Sequence, residues 1–166
     1  MTPPYRVGDE LPPLEIPVTR TLIVAGAIAS RDYQDVHHDA ASAREKGSPD
    51  IFMNILTTNG LVGRYITDHF GPTAVLRKVA IRLGAPNYPG DVLRLTGRIT
   101  ELRTADTSSA DASPGDASSD EVVDAVDAVE AIEAVVQVTG GNGIGRHVTG
   151  TVAVTLPEPS VKRAGA

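Results

Sequence analysis

Apolar residues recur at helical spacing in the first half of the chain and alternate with polar ones in the second. From Thr21 to Ser30, Leu22, Ile23, Ala25, Gly26, Ile28 and Ala29 suit a short buried helix. Asp39 stands where it can cap a small helix, Ala40–Lys46, that ends at Gly47. Ser48-Pro49-Asp50 reads as a helix start: a capping hydroxyl, proline at the first helical position and an early acid. Ile51, Phe52, Ile55, Leu56, Asn59, Val62, Gly63, Ile66 and Phe70 keep the spacing until Gly71-Pro72, which predicts a helix of about twenty residues. Gly60 and Gly63 each lower its propensity by about 1 kcal/mol relative to Ala. A backbone packed tightly on a sheet would explain them.

The strand signals are of period two. Leu14–Thr19 suits a short edge strand, where Pro17 is tolerated. Val75, Val79, Ile81 and Leu83 share one face, with Lys78 and Arg82 opposite. Leu93, Leu95, Gly97 and Ile99 alternate with Arg94, Thr96 and Arg98. Val148, Val152, Val154 and Leu156 alternate with His147, Thr149, Thr151 and Thr155. Asn87-Tyr88-Pro89-Gly90 is turn chemistry. A further strand is expected by Ala134–Thr139. Long strands after one central helix suggest a curved antiparallel sheet wrapped around it, an α+β fold.

Composition changes this picture at one place. Nine of the 21 acidic residues lie between Asp106 and Glu133, and no Lys or Arg falls between Arg103 and Arg146. Residues 104–121 are almost devoid of large apolar side chains and are expected to be disordered; after them Val123-Asp124-Ala125 begins a triplet period that fits neither helix nor strand. The expected organisation is an extended N-terminal arm (1–13), one domain (14–157) with an acidic low-complexity insertion (104–128), and a flexible tail (158–166). Without the nine acids the balance is 15 basic against 12 acidic residues, too weak for a nucleic-acid binder. No apolar run is long enough to cross a bilayer and no signal-like stretch opens the chain, so a cytoplasmic setting is expected. With no Cys, thiol nucleophiles and Cys-based metal sites are excluded.

Candidate chemistry concentrates in Ser30-Arg31-Asp32-Tyr33-Gln34-Asp35-Val36-His37-His38-Asp39. Asp32 and His37 stand five residues apart in a loop between helical segments. A carboxylate and an imidazole held together can grip a water, remove its proton and return a proton elsewhere. The plain alternative is that Asp32 caps while His37 packs. His38 and Asp39 read as structural. A metal site from His37, His38 and Asp39 is disfavoured, because adjacent residues rarely converge on one ion. Arg31 could steer phosphate or acyl groups or be a solvated cation. His69 and His147 read as surface residues. Asn54 and Asn59 either line a pocket or satisfy helix–sheet contacts.

Asp32-Tyr33-Gln34-Asp35-Val36-His37, followed by a long helix and three strands, resembles the MaoC-like (R)-specific enoyl-CoA hydratases of the hot-dog fold. Their signature is an Asp, four residues and a His, usually Asp-x-Asn-Pro-x-His; here Gln34 and Asp35 stand in place of Asn and Pro. Gly47–Leu56 and Gly60–Asp68 are similar to the small subunit of actinobacterial steroid side-chain hydratases. The resemblance covers roughly residues 11–103 and 134–157. It implies that Asp32 and His37 are the catalytic dyad, holding one water against the β-carbon of a 2-enoyl-CoA. One of them removes its proton while a proton reaches the α-carbon on the same face. It also implies a backbone N–H near the start of the central helix for the thioester oxyanion, carried over to Asn54 because Met53-Asn54 replaces the usual His-Gly. The implied partners are an acyl-CoA, of a steroid side chain in that branch, and a second MaoC-like hot-dog subunit in a heterotetramer. No cofactor or metal is implied. Two other readings stand beside it: a hot-dog thioesterase using Asp50, and a non-catalytic subunit that only shapes a partner's tunnel.

Overall fold

The computed structural model describes residues 5–105 and 131–156. Strand β1 (Glu10–Pro17) leads into helix α1 (Arg20–Ala29), a 3₁₀ turn (Asp35–His37) and helix α2 (Ala40–Glu45). Helix α3 (Ile55–Phe70) follows, then strands β2 (Val75–Leu83), β3 (Val92–Ala105), β4 (Ala131–Gly141) and β5 (Arg146–Leu156). The sheet has the order β1-β3-β4-β5-β2, antiparallel throughout. Its inner face receives α3, as the α+β hot-dog expectation requires. Residues 106–128 of the expected insertion, and the tail 158–166, lie outside the described residues; Thr104 and Ala105 complete β3.

The core follows from the two periods meeting. Helix α3 buries Val62, Tyr65, Ile66 and Phe70 on one side. The sheet answers with Leu93, Leu95, Ile99, Ala134, Val136, Val138, Val148, Val152 and Val154, all buried. Each such Val, Leu or Ile contributes about 1.5–3 kcal/mol on leaving water.

Alternation is broken by bulges, and each corrects a simple period-two reading. In β2 the register slips between Leu76 and Lys78, so Leu76 stands opposite Val154 and Val79 opposite Val152. The extra residue puts Leu76, not Val75, on the face shared by Val79, Ile81 and Leu83. In β1 the slip falls between Leu11 and Leu14, across two prolines that have no N–H to give a ladder. The strand begins at Glu10, inside the segment expected to be only an arm.

The central helix also differs from expectation. Ser48–Asn54 is not helical; α3 starts at Ile55, has 16 residues and is capped by Asn54. The local signals at Ser48-Pro49-Asp50 lose to tertiary pairing: Phe52 N–H bonds Val36 O and Met53 N–H bonds Asn87 O. Ile51 and Met53 meanwhile enter the core. Gly63 does allow close approach, since a Cβ there would lie 3.3 Å from Leu76 Cδ1, whereas Gly60 faces open space.

Two substitutions test this packing by urea unfolding. Ile66→Ala, fully buried, should cost about 2–5 kcal/mol. Gly150→Ala places a Cβ 2.1 Å from the Ala80 carbonyl oxygen of the paired strand, and should cost about 1–3 kcal/mol; a neutral result for either would contradict the register described.

Candidate active site

Asp32 is delivered by the way α1 ends. Arg31 N–H bonds Ile28 O at 3.0 Å and Asp32 N–H bonds Ala27 O at 2.9 Å, a Schellman termination. The residue that must turn left-handed is Arg31, with φ 57°, where glycine would be free of strain. That conformation costs about 1–2 kcal/mol in a non-glycine residue, and it swings the next side chain, Asp32, back toward the start of α3. His37 closes the 3₁₀ turn a few residues on. Asp35 anchors that turn, accepting the Ser42 hydroxyl at 2.6 Å and pairing with Lys46. Asp39 caps α2 by accepting from Ala41 and Ser42 N–H.

His37 Nδ1 lies 2.7 Å from the carbonyl oxygen of Phe52. A carbonyl only accepts, so Nδ1 carries the proton. The other ring nitrogen, Nε2, faces Asp32 Oδ2 at 3.3 Å. The Phe52 ring stands edge-on to the imidazole at 5.0 Å and fixes its plane. Both polar side chains are largely buried, His37 more than Asp32.

With Nδ1 committed to the Phe52 carbonyl, the ring in its neutral form presents the Nε2 lone pair to a carboxylate. Two acceptors so close leave room for one water giving a hydrogen to each.

Asn54 ties this pair to the helix. Its amide nitrogen donates to Asp32 Oδ2 and to Ser30 Oγ, both at 2.9 Å, while its Oδ1 accepts Thr57 N–H at 2.9 Å. The Asn54 hydrogen bond is the main reason the Asp32 carboxyl sits below its ordinary range; Gln34 N–H and the facing imidazole add to it against partial burial. Among the described residues, the N–H groups of Asn54, Ile55 and Leu56 find no protein acceptor. They are the free donors of a helix N-terminus, in the first turn beside the pair. From sequence the Asn54 side chain is expected in a pocket or at a helix–sheet contact; its roles as the cap of α3 and the donor to Asp32 are not anticipated. The signal was there: Asn is among the best N-cap residues, which would have moved the helix start from Ser48 to Asn54.

The remaining candidates fall elsewhere. Asp50 is engaged by the Arg20 guanidinium at 2.7 and 3.1 Å and by Ile51 N–H, so it is not free to direct a water. Arg31 and His38 are exposed. His69 is half-buried beside Tyr5 and Phe70, with its pKa pushed down by burial. His147 is fully buried, not at the surface. Asn59 is half-buried with a buried Oδ1 that has no partner. Among the described residues no cluster of three potential metal ligands forms, and no helix is long and apolar enough to cross a membrane. A groove of about 590 Å³ on the outer sheet face, lined by Arg94, Thr96, Thr139 and Arg146, includes neither Asp32 nor His37.

Comparison with known proteins gives a consistent result. The chain is 39% identical over 150 residues to the 3-oxo-4,17-pregnadiene-20-carboxyl-CoA hydratase beta subunit of Mycobacterium tuberculosis, covering 90% of this chain and 95% of that one. It superposes on a chain of the ChsH1–ChsH2 complex from the same organism with a TM-score of 0.71 and 38% identity, over 94% and 99% of the two chains. The (R)-hydratase PhaJ1 of Pseudomonas aeruginosa shares the fold, with a TM-score of 0.70 at 17% identity over 93% of this chain and 84% of that one. No family model matches the chain.

Removing the Asn54 amide tests the electrostatics. Asn54→Ala should cost about 1 kcal/mol as a lost cap and raise the Asp32 pKa, read by carboxyl ¹³C titration; an unmoved Asp32 would contradict the assignment.

Acid sensitivity follows from three depressed carboxyls: Asp32, Asp35 at about 2, and Asp50. The unfolded chain binds more protons at these sites. Their stabilisation is therefore fully present above the ordinary value of 3.8 and drains as pH falls toward about 2. Asp35→Asn with Asp50→Asn should flatten the fall in stability between those pH values; an unchanged slope would refute the linkage.

Proposed function

The chain belongs to the MaoC-like enoyl-CoA hydratases, and from that premise we propose that Asp32 and His37 form its catalytic dyad, adding water to the CoA thioester of a shortened steroid side chain. The observation that carries the proposal is the His37 ring held through Nδ1 by the Phe52 carbonyl with its Nε2 toward Asp32 Oδ2, 3.3 Å away.

In this reading one water donates a hydrogen to each of the two acceptors and turns its own lone pair toward the β-carbon. An imidazole is intrinsically a stronger base than a carboxylate, and the Asn54 hydrogen bond lowers the Asp32 pKa further. As the water oxygen's lone pair forms the new bond to the β-carbon, the O–H bond facing Nε2 breaks, its electrons stay on oxygen and the proton passes to Nε2. The π electrons move onto the thioester oxygen as an enolate. The Asp32 carboxylate stabilises the imidazolium, which then returns the proton to the α-carbon on the same face. Hydration is redox-neutral, so water and the enoyl thioester balance the reaction. A free main-chain N–H at the start of α3, at Asn54 or in the turn after it, meets the enolate oxygen with the positive end of the helix dipole.

A second MaoC-like subunit, as in the complex named above, is part of the proposal. The two sheet edges differ. Strand β1 is blunted by Pro12, Pro13 and Pro17, whereas β2 runs nine residues without a proline. Val75 and Leu76 on that edge, and Ile55 and Leu56 on the first turn of α3, expose apolar side chains. An unprotected edge with exposed apolar residues favours pairing with another sheet. The CoA substrate, made and used inside cells, supports a cytoplasmic setting.

The test uses the chain co-purified with a MaoC-like partner subunit and 3-oxo-4,17-pregnadiene-20-carboxyl-CoA. Asp32→Asn and His37→Gln should each lower the hydration rate by about 10²–10⁴-fold, with normal assembly and no release of free CoA. Full hydration by either variant would make this subunit a non-catalytic partner; CoA release would mark a thioesterase.

A further inference from the structure

A second imidazole lies under the same helix start. His147 is 1% exposed, and the sheet spends a bulge to place it. Strand β4 pairs Gly140 with Val148 and Gly141 with Arg146, leaving His147 as the extra residue. By alternation His147 would face away from the side that Val148 faces. The bulge instead buries both, the re-aiming that such irregularities produce. The ring then meets α3. Its Nδ1 lies 2.6 Å from Ala85 O and its Nε2 lies 2.9 Å from the hydroxyl of Thr58.

The donors sort themselves. The Ala85 carbonyl accepts, so Nδ1 carries a proton. Burial disfavours a charged ring, so Nε2 is an acceptor and, at 2.9 Å, takes the single hydrogen of the Thr58 hydroxyl in preference to the Asn54 carbonyl 3.3 Å away. Thr58 is itself fully buried in the first turn of α3, and its N–H bonds Asn54 O at 3.2 Å. Asn54 in turn holds Asp32 Oδ2 through its side chain.

We propose that His147 and Thr58 are positioning residues, a pin from the β5 bulge that sets the rotation and height of the first turn of α3 and thereby the placement of Asn54, Asp32 and the free N–H donors. This rests on the reading of Asp32 and His37 as the catalytic pair. The pin has both side chains buried. It acts through Asn54, at a place where a shift well under an ångström changes rate more than binding.

The experiment compares Thr58→Val, Thr58→Ser, His147→Asn and the Thr58→Val/His147→Asn double variant in the assembled complex. Thr58→Val keeps the volume and removes the hydroxyl. His147→Asn retains a donor for the Ala85 carbonyl and removes the acceptor for Thr58. Thr58→Val and His147→Asn should each lower kcat per assembled complex by about tenfold with KM within about twofold. Thr58→Ser should recover most of the rate. The double variant should lose no more than either single one, because both break one contact.

Unchanged kcat in both single variants, a loss confined to KM, a Ser variant no better than Val, or fully additive losses would each overturn the pin. If Thr58→Val fails to assemble, His147→Asn and Thr58→Ser carry the same comparison. Asp32→Asn run alongside separates the failures. Loss of hydration there with active Thr58→Val sinks only the pin, and hydration retained there sinks the dyad.

Discussion

A carbonyl oxygen 2.7 Å from a ring nitrogen can be satisfied only by an N–H, and the Phe52 carbonyl imposes that condition on His37. The rest of the site follows from it. With the proton committed to Nδ1, the basic nitrogen is the one beside Asp32. With the Phe52 ring edge-on against the imidazole, that nitrogen cannot swing away. The constraint also explains why Ser48–Asn54 stays extended. Helical pairing would engage the Phe52 carbonyl and turn the Phe52 and Met53 N–H groups away from Val36 and Asn87.

Asn54 is the junction where the fold and the chemistry meet. One short side chain ends the extended segment, caps α3 and donates to the carboxylate. Its donation lowers the Asp32 pKa, which in the proposed mechanism suits a group that holds water and steadies an imidazolium better than one that takes a proton. The cap also leaves the first-turn N–H groups free beside the pair, so the base, counter-charge and oxyanion donor of the proposed mechanism come from one local arrangement. The strained Arg31 turn and the β5 bulge bring the two remaining supports, one from α1 and one from the sheet.

Much of this architecture was legible in the sequence where local chemistry and tertiary need agree. Alternation in β3 and β5, the Asp39 cap and the stop at Gly71 involve short-range patterns that the core reinforces. The start of α3 was not legible from Ser48-Pro49-Asp50, because those capping signals compete with long-range backbone pairing. The bulges were equally silent. An extra residue in β2 or β5 leaves composition unchanged, yet it moves Leu76 inward and buries His147. For the site, spacing nominated Asp32 and His37 together, and family resemblance supplied their role. The contact of the Asn54 side chain with Asp32, 22 residues away, is a tertiary feature that no local pattern signals.

The most direct measurement is the tautomer of His37, read from ring ¹⁵N shifts and long-range ¹H–¹⁵N couplings in the assembled, substrate-free protein near pH 8. The expected pattern is a protonated Nδ1 with an imine-type Nε2. A proton on Nε2, in either the neutral or the doubly protonated ring, would contradict the account.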